Sequence, residues 1–278
     1  MVLALRLEEL HGRIGVIDRV CSWASARDDV HAVLLVGSAV SAPDAWGDVD
    51  LLLLTDDVEG VLEDSRAAFA DAVIMFLERP PGAFPQRRLA FADGTDVDLV
   101  AVPAENLLRE PSDAVRELVY SGARVLYDRD GALGPVVESA AGWMPPAAPP
   151  TAHEVGEAAS EFWFKAIWAA KKLRRGELWR ALECCNGDLK RLVLLALEWE
   201  ARTRRVDHWY GGRFVERWGE VDALSALGGT IAQYDADDVR RALHATMDLY
   251  ARLCSDVDGY PGKAERFARA EVDRVLAV

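Results

Sequence analysis

Hydrophobic positions along the chain change their repeat twice, and those changes mark out its architecture. Between residues 3 and 26, Leu3, Leu7, Leu10, Ile14, Ile17, Cys21 and Ala24 recur at alternating four- and three-residue steps, which predicts one apolar face of a helix. Short unbroken apolar runs follow. HAVLLVG (31–37) and GDVDLLLLTDD (47–57) read as buried strands, and EGVLEDSRAAFADAV (59–73) reads as a helix. RRLAFADGTDVDLVAVP (87–103) reads as a hairpin, because two apolar-rich arms flank the turn pair Asp93-Gly94; the extra Thr95 leaves the loop length open. AENLLREPSDAVRELVY (104–120) is helical with a break near Pro111, and ARVLYD (123–128) is a closing strand.

The second change comes at SAAGWMPPAAPPTA (139–152), whose four prolines in two pairs continue neither a helix nor a central strand. Beyond it the repeat is helical almost throughout. In 154–175, Val155, Ala159, Phe162, Ala166, Ala170 and Leu173 form one stripe, and 188–202 and 237–254 are further helices. The expected fold is α+β: a mixed sheet flanked by helices over 1–140, a Pro/Ala-rich linker at 141–152, and an all-helical domain over 153–278.

Charge sharpens this division. Residues 1–150 carry 12 arginines and no lysine against 25 acids, whereas the remainder carries 20 basic and 21 acidic residues. So acidic a first half argues against general nucleic-acid binding, which needs cations against phosphate, and suits cationic small molecules and divalent metals. Cys21, Cys184, Cys185 and Cys254 have no disulfide or zinc spacing. No apolar run approaches membrane-spanning length, and Arg6, Glu8 and Glu9 come too early for a signal peptide, so a cytoplasmic protein is expected.

The chemistry gathers at VGSAVSAPDAWGDVDLLLL (36–54). Asp48 and Asp50, two apart at the start of a strand, point to one face and repel each other. A divalent cation with oxygen preference, such as Mg²⁺, makes the arrangement tolerable. The hairpin offers a third carboxylate in Asp96 or Asp98, and three carboxylates on adjacent strands are the equipment of two-metal phosphoryl or nucleotidyl transfer. Gly37 and Ser38 supply close backbone approach, a hydroxyl and an N–H suited to phosphate.

Gly-Ser, nine intervening residues, then Asp-x-Asp entering an apolar strand resembles the signature of the DNA polymerase β-type nucleotidyltransferases. DAWGDVDL with FADGTDVDLVAVP is similar to the aminoglycoside 6-adenylyltransferase family, the streptomycin-modifying group, and EFWFKAIWAAKKLRRGELW with LLALEWE resembles its helical domain. The resemblance implies transfer of AMP from Mg·ATP to an aminoglycoside hydroxyl. It implies Asp48 and Asp50 as metal ligands, and Asp98, which precedes the leucine, as third ligand and possible base. Gly37, Ser38 and Lys171 would meet the triphosphate. Gly47 departs from the family's usual serine.

Opposite the apolar stripe of 154–175 lie Glu157, Glu161, Phe164, Trp168 and Lys171. Glu157, Glu161 and Trp168 suit a polycationic sugar through charge pairing and cation–π contact; a solvated face with a Glu161–Lys165 pair is the plainer reading. Nothing in the local motif reads the acceptor. The same chemistry serves a protein, a nucleic-acid end or another antibiotic such as a lincosamide. A catalytically silent nucleotide-binding module is the third reading, and retention of Ser38, Asp48, Asp50 and Asp98 together counts against it.

Overall fold

The computed structural model describes residues 13–41, 46–80, 83–108, 122–131, 133–134, 137, 149–206 and 210–277. The first turns of the expected N-terminal helix, the expected break at Pro111 and most of the linker lie outside these residues. The chain divides into two compact units, Met1–Pro145 and Pro146–Val278.

Among the described residues the first unit has six strands: β1 (Val30–Val36), β2 (Val49–Thr55), β3 (Ile74–Glu78), β4 (Gln86–Ala90), β5 (Asp96–Pro103) and β6 (Ala123–Asp128). Their order in the sheet is β3-β4-β5-β2-β1-β6. The β2–β5 pair is parallel and the other four are antiparallel, so the sheet is mixed. Helices α1 (Ile14–Ser25) and α3 (Val58–Ala68) flank it, with short turns α2 (Ser38–Ser41) and α4 (Glu105–Leu108) at strand ends.

Alternation sorts the strand residues onto two faces. Val33, Leu35, Leu51, Leu53, Val97 and Leu99 pack with Val16, Ile17 and Val20 of α1 and Val61 of α3. Ala32, Leu34, Val36, Leu52, Leu54 and Val102 form a separate cluster on the opposite face with Leu133. Leu51 to Leu54 are all buried, which is why β2 reads as a continuous apolar run rather than an alternating one.

The hairpin loop spans 91–95. Phe91 N–H donates to Thr95 C=O at 2.9 Å, and the Asp93 carboxylate accepts from the Thr95 N–H at 2.9 Å. Helix α3 ends at Ala68, short of the expected Val73, and an edge strand, β3, follows that the pattern does not announce. The cause is exposure: Ile74, Phe76 and Leu77 of this apolar run face solvent, so the run carries no in–out alternation.

The second unit is helical: α5 (Ala152–Arg174), α6 (Leu178–Glu183), α7 (Leu189–Thr203), α8 (Val215–Trp218), α9 (Val221–Leu227), α10 (Ala236–Cys254) and α11 (Gly262–Leu276). Thr151 starts α5 with a capping box: its hydroxyl accepts from Glu154 N–H, and Glu154 reaches back to Thr151 N–H at 2.7 Å. The expected stripe is buried, together with Trp163 and Ala169. Phe162 stacks on Tyr250 of α10 with centroids 3.7 Å apart, Trp163 meets Tyr250 edge-on, and Trp163 Nε1–H donates to Tyr260 Oη at 3.2 Å.

Between α6 and α7 the helix widens into one π-turn, Cys184–Asp188. Two side chains brace it. The Lys190 ammonium donates to Cys185 C=O and Thr246 Oγ1, both at 2.8 Å, and Asn186 exchanges two hydrogen bonds with the backbone of Ala232. All four cysteines are free thiols, and burial pushes those of Cys184 and Cys254 up to about 12.

Phe162→Ala should cost about 3–5 kcal/mol in urea unfolding, the usual range for a fully buried aromatic. A loss below 1 kcal/mol would show that the stacked cluster does not hold the helical unit together.

Candidate active site

Asp50 is the first polar side chain on the sheet face that buries Leu52 and Leu54. In the parallel register it sits directly beside Asp98. Asp48, two residues earlier, falls on the same side. One carboxylate oxygen from each of Asp48, Asp50 and Asp98 lies within 4.8 Å of the others, a separation at which one cation can bridge all three. Asp98 is buried, Asp48 and Asp50 are half-buried, and Asp96 stays exposed outside the group.

Gly37 ends β1 with φ +74°, and a Cβ there would stand 2.8 Å from Asp50 Oδ2. Glycine is therefore required as much for room beside Asp50 as for the turn. Gly37 N–H donates to Gly122 C=O at 3.0 Å, and Ser38 opens α2 immediately after, so the Gly-Ser pair and the carboxylates share one corner of the sheet.

Burial raises the proton affinity of the innermost carboxylate. Asp98 is pushed up to about 6, first by burial and further by Asp48, Glu78 and Asp96, with the Arg88 guanidinium opposing. Arg88 Nη1 lies 3.3 Å from Asp98 Oδ2. Sequence reading missed Arg88, although its place directly across from Asp98 follows from the hairpin register.

The remaining expected site residues lie on α5 of the second unit. Glu157 and Lys171 are exposed. Glu161 is half-buried and accepts from Arg191 at 2.5 Å, a shorter contact than its 3.9 Å approach to Lys165, whose own close partner is Asp188 at 2.9 Å. The Trp168 ring meets Lys172 Nζ at 5.1 Å and Arg180 Cζ at 5.5 Å, and lines a cavity of about 420 Å³ with Arg180, Glu183, Asp188 and Arg191.

A family model described as streptomycin adenylyltransferase matches residues 13–264, a span that includes every candidate site residue named above. The chain belongs to the streptomycin adenylyltransferase family. By family it is an aminoglycoside adenylyltransferase, a nucleotidyltransferase. The aminoglycoside 6-adenylyltransferase of Bacillus subtilis (strain 168) is 24% identical over 238 residues, 77% of this chain and 81% of that protein. Its namesake from Staphylococcus aureus is 24% identical over 198 residues, 66% and 67% of the two chains. Among solved structures, an aminoglycoside 6-adenyltransferase from Bacillus subtilis aligns over 94% of this chain and 97% of its own, with TM-score 0.46 and 16% identity. A nucleotidyltransferase-like protein from Exiguobacterium sibiricum 255-15 aligns over 95% and 80%, with TM-score 0.41 and 13% identity.

The raised Asp98 has a signed consequence for stability. Its folded value of about 6 exceeds the ordinary 3.8, so its favourable contribution is full below 3.8 and is lost as pH rises through 6. Asp98→Asn, which cannot ionise, should therefore melt above the unaltered protein at pH 7.5 in chelator, and the gap should close by pH 4. A gap that stays constant across that range would contradict the assignment.

Proposed function

We propose that this protein transfers the adenylyl group of Mg·ATP to a hydroxyl of an aminoglycoside and releases pyrophosphate, with streptomycin the first acceptor to test. The observation that carries the reading is the convergence of Asp48, Asp50 and Asp98 beside the Gly37-Ser38 corner. The donor set fits Mg²⁺, since it consists of carboxylate oxygens alone and leaves coordination positions for phosphate and water. A metal held there would lower the pKa of the attacking hydroxyl and offset phosphate charge.

The chain's own residues divide the work. Asp48, Asp50 and Asp98 would hold the metal. Asp98, the most buried of them and pushed up to about 6, accepts the proton of the acceptor hydroxyl as the hydroxyl oxygen bonds to the α-phosphorus and the bond to pyrophosphate breaks. Ser38 donates to the β- and γ-phosphates through its hydroxyl and N–H, and Lys171 adds a cation. Glu157, Glu161 and Trp168 face the amino-sugar, where a substrate ammonium takes over the partner role that Arg191 plays for Glu161. In this reading the first unit handles nucleotide and metal, and the helical unit handles the acceptor. The acidic balance of the first half supports a cationic acceptor over nucleic acid.

Purified protein with ATP, Mg²⁺ and streptomycin should release pyrophosphate and label the drug with AMP. Asp50→Asn should reduce release to background. No release with streptomycin or any member of an aminoglycoside panel would refute the acceptor class, and an Asp50→Asn variant with full activity would refute the metal-ligand role.

A further inference from the structure

Arg88 stands on β4 as the direct cross-strand partner of Asp98 on β5. Its guanidinium is held from both ends. Nη1 approaches Asp98 Oδ2 at 3.3 Å, while Nε–H donates to Glu78 Oε2 at 2.6 Å. That same Glu78 oxygen accepts from Gln86 Nε2–H at 2.8 Å, so the anchor is itself anchored. Glu78 closes the edge strand β3 and lies outside the carboxylate group. Arg88 also stands in the field of Asp48.

We infer that Arg88, clamped by Glu78, is a positioning residue and a built-in counter-cation of the carboxylate group. It engages Oδ2 of Asp98 and so fixes the aim of that carboxylate, and it holds metal affinity below what three unopposed carboxylates would give. The inference rests on the metal-dependent reading above. A planar fork suits the task because it reaches two carboxylates from one side chain, which a lysine cannot do with the same geometry.

The sign of the effect separates this role from simple support. An outer-shell partner that only orients a ligand weakens metal binding when removed. A cation repels the incoming metal, so removing Arg88 should tighten metal binding even as Asp98 loses its aim. Tighter metal and slower turnover together are the signature.

The test measures Mn²⁺ binding to the whole protein without nucleotide, by electron paramagnetic resonance, beside steady-state kinetics of pyrophosphate release. Arg88→Met should bind Mn²⁺ roughly three- to tenfold tighter, while kcat falls about 10–100-fold and KM for ATP stays within about twofold. Glu78→Gln, which frees the clamp and keeps the cation, should lower kcat by a smaller factor. Unchanged or weaker Mn²⁺ binding in Arg88→Met overturns the counter-cation role. Should that variant not fold, Arg88→Lys serves: Mn²⁺ affinity should hold and kcat should drop, and a full kcat overturns the positioning role. Failure of the unaltered protein to bind Mn²⁺ overturns this inference together with the reading beneath it; normal Mn²⁺ binding with an unresponsive Arg88→Met overturns this inference alone.

Discussion

Like charges forced together by a sheet register are the constraint on which the first unit depends. Parallel pairing of β2 with β5 sets Asp50 beside Asp98, and Asp48 joins them from the residue before β2. Slipping either strand by one residue would turn its carboxylate to the opposite face and Leu51 or Leu99 away from the α1 side. The register that creates the repulsion is thus also the one that buries the sheet's aliphatic residues on both faces. Hydrophobic burial along the central strands, at roughly 25 cal/mol per Å², outweighs the electrostatic cost at their ends.

The surroundings manage that cost instead of removing it. Gly37 leaves space for the Asp50 carboxylate, and Arg88 brings one positive charge against three negative ones. Burial, ahead of the neighbouring acids, raises the proton affinity of Asp98.

The apolar pattern made the central strands, the hairpin and the long helices legible because each buries a face. Val155, Ala159 and Phe162 recur at helical steps for that reason, and Leu51–Leu54 run together because both faces of β2 are covered. Strand β3 escaped notice because Ile74 and Phe76 are exposed, and Glu78 was lost with it. Asp48 and Asp50 could be picked out as candidates by spacing and chemistry, whereas Asp98 is told from Asp96 only through the family resemblance. Arg88 could not be picked out, since an arginine in a strand has no distinctive neighbours until the hairpin register places it. On α5 the pairing of Glu161 with Arg191, 30 residues away, was equally invisible to a reading of local periodicity.

The π-turn at Cys184–Asp188 carries a different lesson, about descent. A π-turn is an α-helix with one residue too many, accommodated by widening a single coil. Deleting one residue there would restore the regular ladder and swing everything after it by about 100° about the axis, turning Leu189, Leu192 and Val193 out of their pockets. Lys190 and Asn186, which tie the bulge to Thr246 and Ala232, make the surplus residue permanent. Length variants among related chains should therefore accumulate in the loops and spare this coil.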